Sequence, residues 1–414
     1  MLNFKTYLIE APVKQTEGKP FFLTHLRHLE DNAIYDGHEG VARAADFLDD
    51  AHKKLLGKNS ATHFSTKFDG APSIVFGHHP QTGQFFVATK GAFNKTPKLA
   101  FSHEDIDKHY GHAPGLAKKM HAAFEHLPKI MPQNAKAVDV YQGDMKYTKP
   151  DITTSGGRHS FTPNTITYST PTDSADAAKI KAAKMGVVIH TKYKGPKGAG
   201  LEGMSAGPLD DKERARLSNH PDVHNIDPTI TINPANYTPA EQQEFLSHRE
   251  AATRTYRSMK PEAFDVVSKH GQNIETHVND MVRQGGEPSV EGYLAHLQAR
   301  HQKDLDSVKT EAAKNKKRQA HAAMMQEIYD NKDHFKKALE LHNHLQKAKD
   351  VLTGVMAKNN QWGHSIGGEG TNPEGVVAAN KKGEMTKFVN RKEFARQNFL
   401  KGAFQKQQAA ANAT

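Results

Sequence analysis

The sequence predicts an α+β protein in which a long helical segment lies between two β-rich parts. Alternating stretches typical of strands occur at residues 62–66, 137–141 and 374–389. From about residue 238 to 356 the composition changes to long helical runs rich in Ala, Gln, Glu, Lys and His. With 414 residues, 36% of them hydrophobic, the chain can bury a sizeable core and is expected to form two structural units.

The first predicted strand is followed by the motif Lys67-Phe68-Asp69-Gly70. Asp-Gly is a turn dipeptide, so we expect the amine of Lys67 to lie at a strand end. A lysine can act as a nucleophile near neutral pH when it is desolvated or lies beside other cations, which makes Lys67 the candidate nucleophile. Taken alone, this motif more often marks a hairpin turn beside a surface lysine.

The second predicted strand ends at Gly143-Asp144. Its position would bring the carboxylate of Asp144 to the same sheet edge, where it could hold ribose hydroxyls or a metal ion. The simpler interpretation is a strand cap in a polar turn.

The last β-rich part is predicted to be a hairpin. Residues 374–378 and 385–389 would form its strands, with Lys382-Gly383 as the turn. Such a hairpin would present both Glu374 and Lys387. Phosphoryl transfer needs cations near the triphosphate and carboxylates that hold Mg²⁺, so this pair suits that chemistry. Taken alone, the pattern is also typical of an exposed β-ribbon.

Four motifs follow one another along the chain: Lys67-Phe-Asp-Gly70, Gln142-Gly-Asp144, Glu374-Gly-Val-Val377 and Met385-Thr-Lys-Phe-Val389, which contains Lys387. In this order they resemble the motifs of the covalent nucleotidyltransferases, the superfamily of polynucleotide ligases and mRNA capping enzymes. The resemblance covers most of the chain outside the helical segment. It implies a nucleotidyltransferase (ATP-grasp-like ligase) fold of antiparallel sheets with flanking helices. It also implies that Lys67 takes AMP from ATP, with Mg²⁺ or Mn²⁺, as a lysyl-AMP intermediate.

The resemblance implies a role for each matching residue. Asp69 would orient the lysine and the ribose, and Gly70 completes the nucleophile motif. The segment 86–93 resembles a ligase stretch with a basic residue after the second strand, and it contains Lys90. The remaining assignments are Lys90 and Lys387 as phosphate contacts, Asp144 and Glu374 as ligands of ribose or metal, and Tyr168 as the ring that stacks on the base.

An RNA ligase is the member of this superfamily that the chain resembles most. DNA ligases usually place an arginine shortly after the nucleophile motif, whereas Ala71-Pro72 follows here, and several RNA ligases also lack that arginine. The short stretch after Lys387 leads us to expect no oligonucleotide-binding domain behind it. We therefore expect sealing or adenylylation of 5′-phosphate ends, with RNA favoured over DNA. Two alternatives stay open: an inactive nucleotide- or nucleic-acid-binding module, and a packaged structural phage protein.

The wide separation of the motifs predicts an insertion. The expected division is residues 1–10 as a propeptide, 11–215 and 357–405 as the two parts of the nucleotidyltransferase domain, 216–356 as the helical insertion and 406–414 as a flexible tail.

Local signals define parts of the insertion, for which we expect a helical hairpin or small bundle. Thr238-Pro-Ala-Glu241 predicts a capping box with proline at the first helical position. Residues 335–356 carry one apolar helical face, and residues 285–288 break the helical pattern. Residues 309–321 include five lysines and arginines and one glutamate. Such a run either binds a phosphate backbone or is simply a solvated helix face.

The composition limits which binding partners, metal sites and membrane-spanning segments can be expected. The formal charge is +10 and the pI about 9.3, values that favour nucleic-acid partners. The absence of cysteine excludes disulfides and thiolate metal sites, and no stretch approaches the ~18 apolar residues of a membrane span. The 26 histidines are expected to be mainly exposed polar residues, because pairs such as His342 and His344 lack a third metal ligand.

Residues 1–10 resemble the capsid-targeting peptides of bacteriophage internal proteins, with Leu8-Ile9-Glu10 as the cleavage site. That resemblance implies capsid proteins as partners and a location in the phage head and then the host cytoplasm. An amphipathic first turn packed on the core is the alternative.

Overall fold

The computed structural model describes residues 26–68, 70–131, 139–195 and 200–395. Within these ranges it is an α+β protein with several antiparallel sheets. Its helices are α1 Asp31–Tyr35, α2 Gly37–Leu55, α3 His103–Tyr110, α4 Pro114–His126, α5 Ala177–Ala182, α6 Asp211–Arg216, α7 Pro239–Ser258, α8 Glu262–Ser268, α9 Gly271–Arg283, α10 Val290–Asp306, α11 Glu311–Asp330 and α12 Lys332–Ala357. None of the helices that the structure describes is long and apolar enough to cross a bilayer.

The described residues form three sheets. Their strands are β1 His63–Lys67, β2 Ser73–His78, β3 Phe85–Ala88, β4 Val140–Thr148, β5 Thr153–Ser155, β6 Arg158–Phe161, β7 Thr167–Pro171, β8 Met185–Lys194, β9 Ser205–Pro208, β10 Val223–Asn225, β11 Gly363–Ile366, β12 Glu369–Gly370, β13 Gly375–Ala379 and β14 Met385–Phe388. The three-stranded sheet has the order β1-β13-β14 and the six-stranded sheet β10-β8-β4-β2-β3, with β9 on β8. The five-stranded sheet has the order β12-β11-β7-β6-β5.

The three-stranded sheet joins the two ends of the described chain. The predicted hairpin is confirmed: β13 and β14 pair antiparallel, with Val377 opposite Lys387. Strand β1 pairs with the other edge of β13 and places Lys67 opposite Gly375. The first and last predicted motifs therefore meet in one sheet, although Lys67 and Glu374 lie 307 positions apart in sequence.

The six-stranded sheet corrects one prediction. Gly143-Asp144 does not end a strand, because β4 continues to Thr148 and lies between β2 and β8. Asp144 is opposite Ser73 on one side and Val188 on the other. A Cβ at position 143 would lie 2.6 Å from the backbone oxygen of Val188, so this glycine accommodates a close neighbouring strand rather than a turn.

The helical segment follows its predicted local signals. The capping box at Thr238 and Glu241 is confirmed at the start of α7. Helix α12 buries the predicted apolar face, and residues 285–288 lie in the break between α9 and α10. One hydrophobic core contains buried side chains of α2, α7, α12 and the three-stranded sheet. The segment is thus built into the fold through this shared core.

A second helical core lies among α9, α10 and α12 and surrounds His277, which is 1% exposed. Burial and the neighbouring His296 lower the pKa of His277 to about 4, while Asp280 opposes this effect. The unfolded chain takes up a proton at the ordinary histidine pKa of about 6.5, well before the folded protein does.

We therefore expect His277 to make the protein lose stability as the pH falls from about 6.5 towards 4. Urea unfolding at several pH values between these limits would show a weaker pH dependence for His277→Gln than for the wild type. Parallel profiles for the two proteins would contradict this account.

Candidate functional site

Lys67 and Glu374 form the centre of the candidate site. Lys67 is the last residue of β1, and Glu374 immediately precedes β13. The Nζ atom of Lys67 lies 2.5 Å from Oε1 of Glu374. The lysine side chain is 32% exposed and the glutamate 11%, so the pair lies at the surface with the carboxylate more deeply placed. The two residues are positioned by direct backbone pairing of their strands.

Lys387 lies next to this pair. Its strand β14 is held on the far side by the segment 27–29, where the backbone N–H of Lys387 donates to Arg27 and that of Leu29 donates to Lys387. Burial, together with the charges of Arg391 and Lys67, lowers the pKa of Lys387. The strand therefore presents a second, desolvated cation close to Lys67.

The motif that contains Lys67 also contacts β4. A methyl group added at Gly70 would lie 2.9 Å from Cβ of Asp144 and 2.4 Å from Nζ of Lys146, so the loop packs directly on this strand. Lys146 is 1% exposed, and its Nζ lies 5.5 Å from the ring centre of Phe68. The loop thus brings Asp144 close to the residues that follow Lys67. Asp69 lies outside the described residues.

Asp144 is ionised at neutral pH. Burial would raise its pKa, but the nearby His190 imidazole, the charge of Lys146 and a hydrogen bond from Ser73 bring the pKa down to about 2. The Nε2 atom of His190 lies 3.8 Å from Oδ2 of Asp144. A carboxylate that stays ionised beside the loop at Gly70 can accept a hydrogen bond from a hydroxyl group or coordinate a hard cation.

Lys90 lies at the same end of the six-stranded sheet. It follows β3, which runs antiparallel to β2 with Ala88 opposite Val75. The chain therefore leaves β3 beside the start of β2, where Ser73 is paired with Asp144. Lys90 is exposed and begins a short 3-10 helix. Its role as a phosphate contact stays a prediction.

The structure places Tyr168 differently from the prediction. The residue is 1% exposed and its ring packs on Phe68, Phe161 and His364, with centroid distances of 5.2, 5.9 and 5.1 Å. A ring enclosed in this way cannot stack on a nucleotide base. Tyr168 instead supports Phe68, the residue after the candidate nucleophile, so we correct its assignment to core packing.

Gly70→Ala is expected to destabilise the protein by about 1–3 kcal/mol, because the new methyl group overlaps Asp144. Gly207→Ala is the matched control, since a Cβ there meets no atom within 4 Å. Urea unfolding of both variants measures the difference. Equal stability of the two variants would show that the loop does not pack on β4 as described.

A network of buried charges lies behind Lys387. Glu30 accepts hydrogen bonds from Lys349 Nζ at 2.8 and 2.9 Å and from Arg391 Nε at 2.8 Å. Asp31 pairs with Arg391 and accepts a 2.9 Å hydrogen bond from His342. These five residues are at most 3% exposed. Arg391 thereby connects the start of α1 to the residues that follow β14.

Two sets of residues come into question as metal ligands. Within the described residues, Glu30, Asp31 and His342 are the single group of three whose ligand atoms come within 4.8 Å of one another. Both carboxylates are already neutralised by Lys349 and Arg391, so this group is a structural ion-pair network. Asp144 and Glu374 are the predicted metal ligands. Carboxylate oxygens are the donors that a hard cation prefers, and their role as metal ligands stays a prediction.

Residues 23–402 match a family described as "Family of unknown function (DUF6267)". The chain belongs to this family. Comparisons with curated proteins and with solved structures gave no match. Membership of this family therefore assigns no activity to the site. The chemistry of the site follows from its geometry alone.

Several site residues were not predicted from sequence. Lys146 follows Asp144 by two positions in β4, and residues at this spacing in a strand lie on the same face of the sheet. This spacing is the sequence signal from which Lys146 could have been predicted as a neighbour of Asp144. Arg391 and Glu30 are 361 positions apart, and no local pattern links them. The expectation of mainly exposed histidines is wrong for His342 and His224, which are 0% and 3% exposed and bonded to acidic or phenolic side chains.

Proposed function

We propose that this protein is a covalent nucleotidyltransferase, with Lys67 as the residue that accepts a nucleoside monophosphate, and that it acts as an RNA-ligase-like enzyme on 5′-phosphate ends. The observation that carries the proposal is the pairing of Lys67 and Glu374 at 2.5 Å, with Lys387 desolvated beside them. Further support comes from the packing of the nucleophile loop on Asp144. We assign the chain the nucleotidyltransferase fold on the same grounds.

In the first step, the neutral amine of Lys67 attacks the α-phosphorus of ATP. An N–P bond forms, the bond from the α-phosphorus to the bridging oxygen breaks, and pyrophosphate leaves. The proton that Lys67 must lose has an acceptor in Glu374, whose oxygen lies at hydrogen-bond distance from Nζ. Lys387 contributes positive charge near the developing negative charge on the phosphate oxygens.

Asp144 and Glu374 would hold Mg²⁺ or Mn²⁺ together with phosphate oxygens, or the ribose hydroxyls. When bound, the metal ion neutralises the charge of the triphosphate and of the leaving pyrophosphate. Asp144 suits this role because its pKa of about 2 keeps it ionised over the physiological pH range. Lys90, which follows β3 at the end of the sheet where Ser73 pairs with Asp144, would be a further phosphate contact.

Two transfers would complete the ligation. An oxygen of a 5′-phosphate end attacks the phosphorus of the lysyl-AMP, and Lys67 leaves as the amine. A 3′-hydroxyl then attacks the activated 5′-phosphorus, which joins the strands and releases AMP. The same chemistry halted after the first transfer yields an adenylylated end.

The first step can be tested without any nucleic acid. The pure protein is incubated with α-labelled ATP, α-labelled GTP or labelled NAD in the presence of Mg²⁺ or Mn²⁺. We expect one nucleotide to give a covalent label that is stable to alkali and lost in acid, as a phosphoramidate is. ATP labelled at the γ-phosphate is the control, because it leaves no label in this mechanism but labels a protein that is merely phosphorylated. No label from any nucleotide would contradict the proposal.

A further inference from the structure

A cationic hairpin projects from the helical bundle. We define the basic hairpin as residues 298–321, the second part of α10 and the first part of α11 with their connection. Helix α11 has 20 residues, of which Ile328 alone is buried. The buried residues of α10 all lie in its first half, at Val290, Tyr293 and Leu297. The basic hairpin is therefore mostly solvent-exposed on both helices.

The two helices of the basic hairpin are held together by polar side chains. The rings of His301 and His321 stack with centroids 4.0 Å apart and planes within 5°. His321 also bonds to Gln298 at 2.9 Å. A helix that is polar nearly all round gains little from packing, so its exposed surface is available for a partner.

The net positive charge of the basic hairpin indicates a negatively charged partner. It contains seven lysines and arginines against three acidic residues. Glu311 is shared by Lys314 at 3.6 Å and Arg318 at 3.4 Å. Lys309 and Lys316 are exposed. The surplus positive charge complements a polyanion.

The residue types of the basic hairpin favour a phosphate backbone over bases. It contains no phenylalanine, tyrosine or tryptophan on which a base could stack. Its lysines and arginines interact with phosphates irrespective of sequence. The part of helix α11 that belongs to the basic hairpin, residues 311–321, is about 16 Å long, enough to follow a few nucleotides of a single strand.

We propose that the basic hairpin binds the sugar–phosphate backbone of a single-stranded nucleic acid. The proposal rests on the proposed function in that this strand is the substrate whose 5′-phosphate end the Lys67 site would act on. The basic hairpin would then supply sequence-independent affinity, while the site supplies the chemistry.

The test is the binding of a fluorescein-labelled single-stranded RNA to the full chain without nucleotide, followed by fluorescence anisotropy over a range of salt concentrations. Lys309→Glu with Lys316→Glu is compared with Lys53→Glu and Lys58→Glu. Both pairs are exposed and change the net charge equally, but Lys53 lies in the last turn of α2 and Lys58 just after that helix. Circular dichroism verifies that each variant is folded.

We expect the hairpin variant to bind about tenfold more weakly than the control variant. Each single-strand phosphate that the protein no longer neutralises lowers the salt slope by about 0.7, so removing two such interactions should lower it by about 1.4. Equal affinity and slope for the two variants, or no RNA binding by the wild type, would overturn the proposal. Failure of the Lys67 labelling is a separate result, since that assay contains no nucleic acid and this one contains no nucleotide.

Discussion

Lys67→Arg is expected to lower covalent nucleotide labelling by more than about a thousandfold, which is the size of effect seen when a nucleophile is removed. Arginine keeps the positive charge and much of the interaction with Glu374. Its guanidinium is always protonated in proteins and has no lone pair with which to attack phosphorus. The substitution therefore separates nucleophilic attack from charge at the same position.

Lys53→Arg is the matched control for this measurement. Lys53 lies on α2 with its side chain 51% exposed, and we expect labelling at the wild-type rate. Initial rates of label incorporation from the nucleotide that marks the wild type give the comparison. Undiminished labelling of Lys67→Arg would show that another residue carries the nucleotide.

Arg391→Ala is expected to lower the free energy of unfolding by about 3–5 kcal/mol, the usual cost of breaking a buried ion pair. The guanidinium pairs with both Glu30 and Asp31, and all three residues are nearly inaccessible to solvent. Removing it leaves Lys349 as the remaining cation on Glu30 and His342 as the partner of Asp31. Equilibrium urea unfolding measures the change.

Arg254→Ala provides the control, because Arg254 pairs with Glu250 on the surface with both side chains more than half exposed. Exposed ion pairs contribute little, so this variant should unfold close to the wild type. Arg391→Lys should lie between the two, since lysine restores the charge without the planar fork that reaches two carboxylates. Equal stability of Arg391→Ala and Arg254→Ala would contradict the structural role of the network.

The local elements were largely predictable because their signals lie within a few residues. The capping box at Thr238 depends on four consecutive positions, and the β13–β14 hairpin on two alternating stretches around Lys382-Gly383. Lys67 could be placed at a strand end for the same reason. For Asp144 the predicted strand, residues 137–141, overlaps β4 only at Val140 and Tyr141. Its end was placed wrongly because Gly143 resembles a turn residue when the neighbouring β8 is not visible.

Long-range contacts account for what sequence reasoning missed. The pairing of β1 with β13 became apparent only in the fold, and so did the ion pairs of Arg391 with α1. The resemblance implied that Tyr168 stacks on the base, whereas the burial of Tyr168 depends on Phe68 and on β11, which is far away in the sequence. Lys146 was missed for the same reason, because its place in the site depends on contact with Gly70, which is far from it in the sequence.

The central claim is that Lys67 carries the nucleotide, and peptide mapping by mass spectrometry after incubation with the labelling nucleotide and metal tests it most directly. We predict that the peptide containing Lys67 gains the mass of one nucleoside monophosphate, and that fragmentation places it on the lysine side chain. A nucleotide found on any other residue, or an unmodified Lys67 peptide in protein that carries label, would contradict the account.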